Sequence, residues 1–135
     1  MSTPVVFAPI VIALADHLAA QLVARGIPVP VVNSVPRTNR PPRYVLVLQP
    51  GGGQANLKTD QPRTVIEVVD ESGTAAADLT SVVRALVTAV APGYVGEIWV
   101  DRTRHISQVY SPDPDTNAPR FLITTELWCA GKPLI

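Results

Sequence analysis

The sequence predicts one α+β domain spanning 1–135, with two main helices packed on one face of a mostly antiparallel sheet. Two segments repeat apolar residues at helical spacing, and four others are short apolar runs typical of strands. Short connections between consecutive strands favour antiparallel pairing. The 135 residues are 47% hydrophobic and 16% charged, which suits a single core and no second domain.

The first helix is predicted over 9–25. Pro9 suits a first helical position, and Gly26 is a natural stop. The residues of its apolar stripe recur every four positions: Ile10, Leu14, Leu18 and Leu22.

The middle of the chain is punctuated by proline and glycine. Segment 27–36 is predicted to be an edge strand or extended, because its prolines forbid a central strand. A polar connector at 36–43 leads into a strand at 44–49. Residues 49–60, QPGGGQANLKTD, are then predicted to form a mobile hairpin loop before the next strand at 63–71.

The second helix lies within 73–93, with Thr74 as its cap and Pro92-Gly93 as its end. Each valine costs about half a kcal/mol relative to alanine in a helix. Burying each one returns roughly 1.5 kcal/mol or more, so the helix needs a sheet to lie on. The residues predicted to face that sheet are Leu79, Val82, Val83, Leu86, Val87 and Val90.

Two strands end the chain. Residues 94–110 are predicted to form one long or broken strand, 111–119 (SPDPDTNAP) a loop, and 120–130 the final strand. The core face of the final strand is expected to carry Phe121, Ile123, Leu127 and Cys129.

The sheet face away from the helices is expected to expose apolar side chains. Trp128 falls on this face of the final strand, and Val65 and Val69 fall on the corresponding face of theirs. Exposed apolar groups on a sheet indicate a subunit interface.

The glycine run raises the question of a phosphate-binding loop. Gly52, Lys58 and Thr59 fit the P-loop spacing, but Leu57 stands where the second glycine belongs. A dinucleotide fingerprint fails in the same way, since Asn56 replaces its third glycine. A strand follows rather than a helix, so no helix dipole faces a phosphate. A hairpin that orders on contact with a partner is the favoured interpretation.

No catalytic centre, cofactor or metal site is predicted. His17 and His105 are isolated, and no Gly-x-Ser-x-Gly turn holds a nucleophile. Cys129 is the single cysteine, which excludes an internal disulfide, and the acidic pairs lack the spacing of a calcium loop.

The charge pattern disfavours nucleic acid and membranes. The formal net charge is zero, so no general attraction to phosphate is expected. Arg37, Arg40 and Arg43 form a local basic patch that is able to contact phosphate. The favoured interpretation is a solvated connector whose arginines meet carboxylates of a neighbour. Pro9 and Asp16 interrupt the N-terminal apolar segment, a poor signal peptide and membrane span, so intracellular folding as a soluble protein is expected.

The order of these elements resembles the tail terminator proteins of long-tailed phages, especially siphophages of actinobacteria. After the N-terminal helix, the resemblance is carried by IPVPVVNSVPRTNRPPRYVLVLQPGGG, TVIEVVDESGTAAADLTSVVRALV and PRFLITTELWCAGKPL, and it covers nearly the whole chain. Such proteins often carry Arg-Gly near the end, where this chain has Ala130-Gly131-Lys132.

The resemblance implies a structural virion protein of the tail or neck, not an enzyme, assembled in the host cytoplasm. Such proteins form a homo-hexameric ring that docks on the major tail tube protein, ends tail polymerisation and offers a surface to the head-tail connector or neck protein. DNA passes through the lumen without tight binding. The expected assembly contacts are Gly51, Gly52, Gly53, Gln54, Asn56, Arg37, Arg40, Asp113 and Asp115.

Two alternatives stay open at this point. One is another neck component, such as a head-completion or stopper protein, which is also small and ring-forming. The other is a small nucleotide-binding enzyme that uses the glycine loop at 51–59.

Overall fold

The computed structural model describes residues 3–135 and has the predicted α+β architecture, with two helices and a mostly antiparallel sheet. The elements in chain order are β1 (Val5–Val6), α1 (Ile10–Ala24), β2 (Val31–Val32), β3 (Tyr44–Gln54), β4 (Thr59–Val69), α2 (Gly73–Thr88), β5 (Gly93–Val95), β6 (Ile98–Tyr110), β7 (Arg120–Ala130) and β8 (Lys132–Pro133). Of the helices in this range, none has the length and apolar character needed to cross a membrane.

The main sheet has six strands in the order β2-β3-β4-β7-β6-β5. Adjacent strands in this sheet are antiparallel, except that β2 runs parallel to β3 at one edge. The edge position of β2 agrees with the prediction from its prolines. A separate pair formed by β1 and β8 joins the two ends of the described chain, with Val5 opposite Pro133.

Helix α1 lies on the sheet through its predicted stripe, and all four residues of that stripe are buried. The helix contacts β2 and β3 near one edge of the sheet and β5 at the other, so the sheet curls around it. Pro9 is the N-cap, with ψ of 105°, and not the first helical residue as predicted, because its backbone is still extended. Gly26 ends the helix with φ of +73°, as predicted.

Helix α2 begins one residue after Ser72, whose Oγ accepts a hydrogen bond from the Ala75 amide at 3.1 Å. The prediction of Thr74 as the cap is therefore wrong by two residues, since the serine before Gly73 reaches the free amide first. The helix ends at Thr88, short of Pro92-Gly93. All of the predicted inward residues are buried except Val82, which is half-buried. Ala76 and Thr80 are buried in addition.

The core lies between the two helices and the sheet. Fully buried side chains from every layer meet there, among them Leu14, Leu18, Val83, Ile66, Ile123 and Leu127. Between β4 and β7, the buried Thr64 hydroxyl donates a hydrogen bond to the Thr125 carbonyl oxygen at 3.1 Å. The predicted strand at 94–110 is broken by a turn at Gly96-Glu97, which separates β5 from β6.

Candidate assembly surfaces

The glycine run is part of a strand and not of a loop. Strand β3 continues to Gln54, and Gly51, Gly52 and Gly53 lie opposite residues of β4. The prediction of a mobile loop over 49–60 is therefore wrong for most of that range. The pairing shifts register after Leu48, which places Pro50 in an irregularity where its missing N–H interrupts no regular ladder.

Gly52 has a structural role in this hairpin. Its φ is +98°, and a Cβ there would lie 2.4 Å from the Arg63 nitrogen on the opposite strand. Gly51 and Gly53 carry no such constraint, since nothing lies within 4 Å of a Cβ built on either. Only Gly52 of the three must be glycine for the hairpin to close.

The tip of the hairpin spans 55–58, and Asn56 is the only predicted contact residue that lies in it. The Asn56 side-chain oxygen accepts hydrogen bonds from the Lys58 and Thr59 amides, both at 2.9 Å. The Gly131 amide donates to the Lys58 carbonyl at 2.9 Å, which fixes the tip against the end of β7. Leu57 projects from the tip and is 67% exposed.

The second predicted contact loop, 111–119, is built around Asp113. Its buried carboxylate accepts hydrogen bonds from the Asp115 and Thr116 amides, at 2.8 and 3.2 Å. Arg40 Nη1 lies 2.9 Å from Asp113 Oδ2, and Arg40 Nη2 lies 3.5 Å from the exposed Asp115 carboxylate. Burial acts to raise the pKa of Asp113, but the two amides and Arg40 outweigh it and hold the pKa below 3.8.

The structure thus joins Arg40, Asp113 and Asp115 in one intramolecular cluster. Arg43 is paired as well, with Nε 3.0 Å from Asp70 Oδ2, whereas Arg37 is exposed. Two of the three connector arginines therefore meet carboxylates of this same chain. The ion pair between Arg40 and Asp113 holds the connector on the 111–119 loop.

The sheet surface away from the helices carries an apolar strip. This outer face consists of one residue from each of four neighbouring strands: Leu48, Val65, Leu122 and Val109. Leu48 lies opposite Val65, and Leu122 lies opposite Val109. The two pairs are offset by two residues along the strands, because Val65 lies opposite Thr124 and Leu122 lies opposite Glu67. Val109 is the most exposed of the four, at 50%, and the other three are partly buried.

The expected exposure of this side of the sheet is correct for Val65 and Trp128 and wrong for Val69. Val69 is only 2% exposed, because the 33–43 connector and the 111–119 loop cover it in a small cluster with Tyr44 and Leu46. Trp128 is half-buried under the guanidinium of Arg102, which lies 4.2 Å from the ring centre.

Arginines border the outer face. Arg63 and Arg104 both reach Glu126, at 3.2 and 3.3 Å, and both arginine side chains remain about half or more exposed, at 47% and 64%. One carboxylate shared between two guanidinium groups leaves a local surplus of positive charge. The outer face is therefore an apolar strip beside a basic margin.

Helix α1 has a second stripe on the side away from the sheet. This outer stripe consists of Ile12, Asp16, Ala19 and Val23, with Ile12 and Val23 being 54% and 65% exposed. A groove of about 480 Å³ continues it, lined by apolar residues such as Ala8, Pro9 and Ile98. Helices that are apolar all round are normally covered on every side. This signal was present in the sequence of α1, but the prediction used only the inner stripe.

Burial shifts the pKa values of the titratable side chains singled out from the sequence, His17, His105 and Cys129. His17 lines the α1 groove, and burial lowers its pKa below 6.5. His105 has its pKa lowered by burial and by Arg84. Burial and Asp60 raise the pKa of the Cys129 thiol to about 12. Within residues 3–135, no three or more of His, Cys, Asp and Glu lie together in a way that suits a metal ion.

The fold and its surfaces define an α+β domain that leaves apolar side chains uncovered on both of its layers. In comparisons with known proteins, no family model matches the sequence, and no curated protein matches it.

Proposed function

We propose that the chain is a tail terminator: a non-enzymatic virion protein that forms a hexameric ring on the tail tube and ends its growth. The observation that supports this most is the pair of uncovered apolar surfaces, the outer face of the sheet and the outer stripe of α1. A subunit of a closed ring needs a neighbour on each side, and two surfaces on opposite layers meet that need. The resemblance over nearly the whole chain supports the same function.

In the proposed mechanism the ring caps the tube by matching its symmetry on one side and presenting a different surface on the other. One end of the domain suits a contact along the ring axis. There the hairpin tip touches Gly131, and Glu97 in the β5–β6 turn lies 3.9 Å from Lys132. Large apolar side chains are exposed in and beside these segments, namely Leu57 in the tip, Tyr94 in β5, Val6 opposite Lys132, and Leu134 after β8.

The proposed partners are other copies of the chain, the major tail tube protein and the head-tail connector or neck protein. The proposed location is the tail or neck of the virion, after assembly in the host cytoplasm. Zero formal net charge supports a lumen through which DNA passes without tight binding. The proposed role requires no cofactor.

The test is to add the purified protein to major tail tube protein during tube assembly and to measure tube lengths by electron microscopy. A terminator shortens the mean tube length as its ratio to tube subunits rises. We expect Leu57→Asp to weaken this effect, because it places a charge on the exposed hairpin tip. Tube lengths that do not depend on the added protein would contradict the proposal, and binding to heads instead would favour a head-side neck component.

A further inference from the structure

We infer that the ring contact is formed by the outer stripe of α1 in one copy lying on the outer face of the sheet in the next. The inference rests on the proposed function only for closure of the ring. The contact itself follows from the dimensions, the charges and the placement of the two surfaces.

The two surfaces have matching length. The outer face crosses four neighbouring strands, β3, β4, β7 and β6, which span about 14 Å at the usual strand spacing. Ile12 and Val23 are separated by about 16 Å along the helix axis. Since Leu48 and Val109 are offset by two residues along the strands, the helix lies obliquely across them and places an apolar side chain over each end of the strip.

The two surfaces also have complementary charge. Asp16 is the acidic residue of the outer stripe, and it forms no ion pair with any residue from 3 to 135. The outer face has the opposite surplus, because Arg63 and Arg104 share the single carboxylate of Glu126. Arg63 lies two residues before Val65 on β4 and opposite Glu126 on β7, while Val65 lies opposite Thr124. The basic margin therefore adjoins the apolar strip.

The two surfaces lie on opposite sides of the domain. The inner stripe of α1 faces the sheet, so its outer stripe points away from it. The strip residues alternate along their strands with the core residues Val47, Ile66 and Ile123, so they point away from the helices. A contact between unlike surfaces on opposite sides is heterologous, and repetition of it gives a ring when the rotation closes.

The experiment uses two variants of the full chain, Val23→Asp in the outer stripe and Val109→Asp in the outer face. Both positions are at least half exposed, at 65% and 50%, so the domain itself tolerates the charge. Each variant keeps one intact surface and loses the other. In analytical ultracentrifugation we expect each variant alone to be monomeric where the unmodified protein forms larger assemblies.

Mixing the two variants gives the decisive result. The intact outer stripe of Val109→Asp meets the intact outer face of Val23→Asp, and both remaining surfaces are blocked. The mixture is therefore expected to form a one-to-one dimer and nothing larger, which also shows that both variants are folded. A mixture that stays monomeric overturns the inference, as does a Val23→Asp variant that assembles like the unmodified protein.

Leu57→Asp is the matched control. Leu57 is 67% exposed and belongs to neither surface, so the same change there is expected to leave self-assembly unaltered. Unmodified protein that remains monomeric up to about 1 mM also overturns the inference, since any self-association would then have a Kd weaker than about 1 mM.

The experiments distinguish failure of this contact from failure of the proposed function. If the one-to-one dimer forms but the protein does not affect tube length, the contact stands and the tail terminator function fails. If tubes are shortened equally by the unmodified protein and both variants, the function stands and the ring uses other surfaces.

Discussion

At the scale of single residues, Asp113 holds the 111–119 loop together. Its carboxylate accepts two backbone hydrogen bonds and meets Arg40, while its own carbonyl accepts from the Asn117 amide at 2.7 Å. Buried carboxylates with several partners are costly to lose, because the amides and the arginine are left without an acceptor. Asp115 beside it is 77% exposed and contributes far less.

Asp113→Ala is expected to lower the free energy of unfolding by about 2 kcal/mol, the usual loss when buried donors become unsatisfied. Asp115→Ala is the matched control and is expected to change it by less than about 0.5 kcal/mol, because exposed ion pairs contribute little. Urea denaturation measures both. Equal losses in the two variants would show that the loop does not depend on the Asp113 carboxylate.

The two histidines are expected to make stability depend on pH. Burial lowers the pKa of both His17 and His105 below 6.5, so in mildly acidic solution the unfolded chain binds more protons than the folded one. Stability is therefore fully present above pH 6.5 and falls as the pH drops through the lowered values. The low pKa of Asp113 adds a similar loss only below 3.8.

Denaturation at pH 7.5 and at pH 5.5 is expected to give lower stability at the acidic pH. A double variant, His17→Gln with His105→Gln, is expected to lose most of that difference. An undiminished difference in the double variant, or higher stability at pH 5.5, would contradict the assignment.

At the scale of elements, the β3–β4 hairpin depends on one glycine. Gly52→Ala is expected to lower the free energy of unfolding by about 2 kcal/mol or more, since the left-handed backbone alone costs a side chain roughly 1–2 kcal/mol. Gly53→Ala is the matched control, with free space around its Cβ, and is expected to be neutral or slightly stabilising. Thermal unfolding of both variants checks this, and equal melting temperatures would refute the role of Gly52.

The helices and the central strands could be predicted because their apolar residues follow helical or alternating periods. The inner stripe of α1 and the Ile66–Val68 face of β4 are examples. The extension of β3 through Gly51–Gln54 could not, because glycine carries no side-chain pattern. Its pairing is imposed by β4, which continues the register past the irregularity at Pro50. Composition there signals a loop, while tertiary pairing makes it a strand.

The contacts made by the candidate contact residues could not be predicted from the sequence, for a different reason. Arg40 and Asp113 are 73 residues apart, and nothing in the sequence shows that they meet. The cover over Val69 has the same origin, since it depends on where the connector and the 111–119 loop cross the sheet. The outer stripe of α1, by contrast, was readable from Ile12 and Val23 in a helix with few polar residues.

At the scale of the whole molecule, each surface has a separate proposed role. The outer stripe of α1 and the outer face of the sheet are proposed to join neighbouring copies, and the end with the hairpin tip is proposed to point along the ring axis. The ring is proposed to act by position alone, since it stops tube growth by occupying the last site. Its activity should therefore follow assembly, and Val23→Asp and Val109→Asp should impair both together.

If the chain is the proposed tail terminator, a phage genome encodes it, and the most direct measurement is electron microscopy of particles made by that phage with this gene deleted. Loss of a tail terminator is expected to give overlong tubes without heads, with normal tail length restored when the intact gene is supplied in trans. Tails of normal length beside unjoined or leaking heads would contradict a terminator and place the protein on the head side of the neck. Normal, infectious particles would contradict the proposed function altogether.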